Sequence, residues 1–135
     1  MITLAQYFGV WFDNEDATDE RKAAAGVMLA KVNTCLNNMV SSGISLNINP
    51  KTQTLVSGET YGGFRPQNCP IGAAHSSHKE GRAVDIYDPG NVLDNWLNDS
   101  LLTQFGLYRE APAATPHWLH LTDRSPGSGL RTFNP

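Results

Sequence analysis

The sequence has little cysteine, no concentration of positive charge and no long apolar run. Its two cysteines, Cys35 and Cys69, form no close pair, so neither a disulfide framework nor a zinc site built on paired thiolates is expected. Both are read as free thiols, and any metal would be held by nitrogen and oxygen. Ten Lys and Arg stand against thirteen Asp and Glu, for a net charge of −3. With no basic block, the electrostatic footprint of a nucleic-acid binder is missing. Nowhere does an apolar stretch approach the ~20 residues of a spanning helix, so no membrane insertion is expected. The opening "MITLAQYFGVW" lacks the basic and apolar regions of an export signal, which implies synthesis in the cytoplasm.

What is present is material for one core. With 40% hydrophobic side chains in 135 residues, the chain is expected to be a single domain, 1–135. "DATDERKAAAGVMLAKVNTCLNNMVSSG" is the clearest helix, with Asp16 or Thr18 at its start and Gly43 at its end. Its Ala25, Met28, Leu29, Val32, Leu36, Met39 and Val40 recur at helical spacing and predict a core stripe. Strands are expected at "ISLNI", "QTLVSGE", "AVDIY", "LYRE" and "HWLHLT". "YGGFRPQNCPIG" reads as a loop and "NVLDNWLNDSLLTQFG" as a second amphipathic helix, with Leu93, Trp96, Leu97, Leu101 and Phe105 inward. "DRSPGSGLRTFNP" reads as a polar tail, and Tyr7, Phe8 and Trp11 as a staple between the N-terminus and the core. The order predicts an α+β domain whose mainly antiparallel sheet carries helices on one face. The other face is then free to hold a site.

The four histidines fall in two short windows, "HSSHKEGRAVD" at 75–85 and "HWLH" at 117–120. His78 and Asp85 flank Gly81, which lets the chain turn back, and small Ala83 shares a strand face with Asp85. Two such donors suit a divalent ion such as zinc, whose catalytic sites take three protein ligands and keep one position open. The third ligand is His117 or His120.

The run Ser76 to Asp85 resembles the S-x-H-x-x-G-x-A-x-D signature of the zinc D-alanyl-D-alanine carboxypeptidase family, which includes the L-alanyl-D-glutamate endopeptidases of phage endolysins. All five fixed positions match. Upstream, "VSGETYGGFRP" is similar to the family's "SGYRSP"-like segment, and downstream "HWLHL" resembles its closing motif. With "LAQYF" and the long helix, the likeness spans most of the chain.

The resemblance implies a hedgehog/DD-peptidase-like fold and a zinc metallopeptidase whose substrate is the stem peptide of bacterial peptidoglycan. His78, Asp85 and His120 would hold Zn2+, His117 would be the general acid/base, and Arg65 would steady the oxyanion. Ser76 would orient the site or the substrate, and Tyr61 and Phe64, flanking Arg65, would line the groove. Compact size and the missing signal suggest a monomeric endolysin-type endopeptidase that reaches the cell wall after release from the host cytoplasm. A D-Ala-D-Ala carboxypeptidase is the nearest alternative, and a non-catalytic, zinc-stabilised part of a phage particle the more distant one. Many relatives carry Glu or Asp at the acid/base position, where this chain has His117. Among the remaining residues, His75 matches no signature position, Asp88 and Pro89 form a turn, and Trp118 is read as core.

Overall fold

The computed structural model describes residues 1–135. A short helix α1, Leu4–Phe8, starts from a capping box in which Thr3 and Gln6 satisfy each other's backbone N–H groups. The long helix α2, Asp19–Ser41, is capped by Thr18, whose hydroxyl accepts from Arg21 N, and carries Asp19 and Glu20 in its first turn, where the helix dipole favours them. Ala25, Met28, Leu29, Val32, Leu36 and Met39 are buried, together with Cys35. Val40, expected inward, is 49% exposed. At 100° per residue it falls on the margin of a stripe centred nearer to Cys35.

The sheet has four strands, β1 (Ala83–Tyr87), β2 (Tyr108–Glu110), β3 (Trp118–Thr122) and β4 (Thr132–Phe133), in the order β1-β3-β2-β4. It is mixed rather than mainly antiparallel as expected: β3 runs antiparallel to β1 and β2, whereas β4 lies parallel to β2. β4 comes from the segment read as a polar tail. Val84, Ile86, Leu119 and Leu121 face the core shared with α2, so alternation sends Asp85 and His120 to the opposite face.

Two expected strands do not form. In place of "ISLNI" and "QTLVSGE" there are only isolated bridges, Asn49 to Thr54 and Val56 to Ile86. Polar side chains have taken the backbone groups that a ladder would use. Asn49 Nδ2 donates to the carbonyls of Val56 and Gly58, the Thr52 hydroxyl also donates to Val56 O, and the Thr54 hydroxyl accepts from Val56 N. The segment 55–62 nevertheless covers the edge of β1, since Ser57 N donates to Asp85 O and Asp85 N to Gly62 O.

The second amphipathic stretch is broken in two, α3 at Val92–Trp96 and α4 at Asp99–Phe105. Leu97 is extended and Asn98 caps α4, accepting from Leu101 N. The restart turns Leu102 fully inward and leaves Leu101 and Trp96 packed at the core's margin. Asp88 accepts from Leu93 N and Asp94 N, tying the turn after β1 to α3. Cys35 and Cys69 are buried free thiols, and burial pushes the Cys35 thiol up to about 12. No helix is long and apolar enough to cross a membrane.

Candidate metal centre

The first window folds as a single 3-10 turn, Ser77–Glu80, that ends in Gly81 and feeds β1. The Ser76 hydroxyl caps the turn by accepting from His78 N at 3.3 Å. Gly81 closes it with φ +73°, and a Cβ there would stand 2.6 Å from the Arg21 carbonyl oxygen on α2. Only glycine satisfies both demands. His78 is thereby carried back toward the strand that bears Asp85, whose partner across the ladder is His120.

Three donor atoms converge. His120 Nδ1 lies 2.8 Å from Asp85 Oδ1, and His78 Nε2 lies 3.3 Å from each of them. All three residues are buried, at 3% (His78), 9% (Asp85) and 6% (His120) exposure. An ion bound tetrahedrally at zinc–nitrogen and zinc–oxygen lengths of about 2.0–2.1 Å holds its ligands about 3.3–3.4 Å apart. The triangle needs only a few tenths of an ångström of opening to match. His78 Nδ1–H donates to the Gly63 carbonyl at 2.8 Å, which fixes the tautomer and aims the Nε2 lone pair at the centre, an arrangement common among metal-binding imidazoles. The cluster can hold a divalent metal ion.

The three side chains are also coupled electrostatically. Burial would raise the Asp85 carboxyl, but His78 and His120 overcome it and hold it well below the usual carboxylate range. Burial alone would lower His120, while its hydrogen bond to Asp85 and that carboxylate's charge raise it on balance. Asp85 is thus held as a carboxylate, and an ion at this site would have to displace the proton from His120 Nδ1.

Arg65 reaches the cluster. Its Nη2 is 3.4 Å from Asp85 Oδ2, and its Nε donates to the Tyr61 carbonyl. The cavity over the cluster, about 510 Å³, is lined by Arg65, Ser76 and the three donors among others. A second hollow of about 460 Å³ shares Arg65, Ile71, Asp85 and Trp118 with it. The two hollows adjoin at these residues.

Other expected site residues fall elsewhere. His117 is exposed, with φ +75°, and does not line either hollow. Its Nδ1–H donates to the Pro89 carbonyl at 2.9 Å, while its backbone N–H is held by Asn91. Phe64 is fully buried, its ring 4.9 Å from that of Phe8, so it is a core residue and cannot line a groove. Tyr61 stacks on Trp11 at 6.0 Å and borders only the second hollow. Trp118, expected in the core, stands on the same strand face as His120 and lines both hollows. Glu110, which no motif of the sequence marks, also lines the cavity, with Oε1 3.8 Å from His120 Nε2. Alternation in "LYRE" puts Tyr108 and Glu110 on one face, but only the strand register brings that face to His120.

No protein-family model, curated protein or solved structure matches this chain.

Proposed function

We propose that this protein is a metal-dependent peptidase, with zinc the best-fitting ion, that hydrolyses an amide bond in the peptide part of bacterial peptidoglycan. One observation carries the reading: His78 Nε2, Asp85 Oδ1 and His120 Nδ1 converge within 3.3 Å on the floor of an open cleft. Three ligands and an accessible side are the arrangement of a catalytic rather than a closed structural site. The substrate class rests on the resemblance of residues 76–85 and 117–121 to the carboxypeptidase and endolysin family.

His78, Asp85 and His120 would hold the zinc ion, which would supply Lewis acidity for a carbonyl and a more acidic water. The chain's own residues do the rest. Arg65, ion-paired with Asp85 and lining both hollows, offers fixed positive charge where the carbonyl oxygen becomes anionic. Trp118 provides an apolar wall beside the reacting bond. His117 can serve as the acid/base only after it gives up its bond to the Pro89 carbonyl.

Room on both sides of the donor cluster, in the hollows of about 510 Å³ and 460 Å³ that share Asp85, suits an internal bond better than a terminal one and supports the endolysin-type endopeptidase, acting on the wall from within the host. The outward position of His117 favours a second reading, a non-catalytic module in which the ion only stabilises a part of a phage particle. Mass spectrometry of purified peptidoglycan, incubated with protein plus zinc and again with chelator, separates them. New internal-cleavage fragments that vanish with chelator are expected. Loss of terminal alanine alone would point to the carboxypeptidase, and no release from any wall chemotype by zinc-loaded protein would refute the peptidase.

A further inference from the structure

We infer that Glu110 is a positioning residue for the metal centre, holding His120 through its Nε2–H. The strand register supplies the first support. Asp85 pairs with His120 across β1 and β3, Tyr108 and Arg109 pair with Thr122 and Leu121 across β2 and β3, and Glu110 pairs with Phe133 on β4. Continuing the β2–β3 register sets Glu110 beside His120. Asp85, His120, Glu110 and Phe133 thus form one row across the sheet, all facing the cavity.

The chemistry of the imidazole supplies the second. Without metal, His120 Nδ1–H donates to Asp85 Oδ1 at 2.8 Å. To ligate, Nδ1 must present a lone pair, so the ring hydrogen has to sit on Nε2. That nitrogen points toward Glu110 Oε1, 3.8 Å away, and has no hydrogen-bond partner. The Glu110 carboxylate has none either, and its side chain is 23% exposed. The separation is longer than a hydrogen bond, but a small rotation of this flexible side chain closes it. Phe133, edge-on to the His120 ring at 6.3 Å, limits where that ring can tilt. Imidazole ligands commonly donate their second N–H to a carboxylate or carbonyl. His78 has the Gly63 carbonyl in that role, and Glu110 is the matching partner for His120.

The inference rests on the metal reading of the site, and its test reads metal binding rather than hydrolysis. Zinc affinity is measured by competition with a chromophoric chelator for the wild type, Glu110→Ala and Glu110→Gln. Losing a carboxylate behind an imidazole ligand weakens binding about 10- to 100-fold, so Glu110→Ala should fall in that range. Glu110→Gln, which keeps an acceptor oxygen and guards against a folding defect in the alanine variant, should lose less. Alongside, nitrogen-15 NMR of the zinc-loaded protein should show a His120 Nε2–H that is protected from solvent exchange in the wild type and exchanges fast in Glu110→Ala. Affinities within twofold of one another and an unchanged Nε2–H signal would overturn the role of Glu110 while leaving the metal site standing. Failure of the wild type to bind zinc would overturn both.

Discussion

Replacing Gly81 by alanine tests how the two halves of the candidate metal centre are brought together. Gly81 has φ +73°, and an added Cβ would sit 2.6 Å from the backbone oxygen of Arg21. Left-handed backbone costs an ordinary L-residue about 1–2 kcal/mol. Forcing a turn away from a helix backbone adds an overpacking cost of about 1–3 kcal/mol. The expected destabilisation of Gly81→Ala is therefore about 2–5 kcal/mol. Gly43 provides the control, because its φ is +88° but nothing lies within 4 Å of its would-be Cβ. Gly43→Ala should cost only the first contribution. Urea unfolding of both variants, with chelator present so that metal binding does not contribute, gives the two costs from the midpoints at constant slope. Gly81→Ala should also weaken zinc binding, since His78 sits three residues before the displaced turn, whereas Gly43→Ala should leave it unchanged. Equal destabilisation by the two variants would refute the close contact with α2 as the reason for glycine at position 81.

Zinc should stabilise the fold through its three ligands. At free zinc 100-fold above the dissociation constant the gain is about 2.7 kcal/mol, visible as a rise in thermal midpoint, and His78→Ala, Asp85→Ala or His120→Ala should abolish that rise. A second effect concerns Asp94, which is buried against Arg109 and Thr115. Burial raises its pKa from 3.8 to about 6, despite the opposing Arg109 charge. Between those values the native state keeps a proton that the unfolded chain releases, so this group's contribution makes stability fall as pH rises from about 4 to about 6, by up to about 3 kcal/mol. Asp94→Asn should flatten that part of a stability–pH profile recorded by urea unfolding, and an unchanged slope would contradict the assignment. Finally, Phe64→Ala should cost about 3–5 kcal/mol as a core truncation, while Trp118→Ala should change stability far less and weaken peptide binding. The reverse ranking in calorimetry and substrate titration would return Phe64 to the groove and Trp118 to the core.

Local chemistry made much of this protein legible from the residues alone. The cap at Thr18, the apolar stripe of α2 and the strand at 83–87 depend on interactions within a few positions of each other, and side-chain spacing reports those directly. The same holds for the donor set: His78, Gly81 and Asp85 sit on one turn and the strand that follows it. Where polar side chains compete for the backbone groups that a ladder or a continuous helix would use, apolar spacing was a poorer guide. Asn49, Thr52 and Thr54 satisfy the backbone of a stretch whose alternation suggested strands, and Asn98 restarts a helix whose apolar pattern looked continuous.

The sequence by itself determined that the chain carries enough apolar material for one core, α+β elements and nitrogen and oxygen donors for a metal. Only the tertiary structure decided which side chains share the site. Register across β1, β3, β2 and β4 aligns Asp85, His120, Glu110 and Phe133, and the left-handed backbone at His117 sends that ring to the Pro89 carbonyl. Alternation along one strand fixes a face, but which residue of another strand meets it depends on pairing between segments far apart in the chain, and no local pattern encodes that pairing.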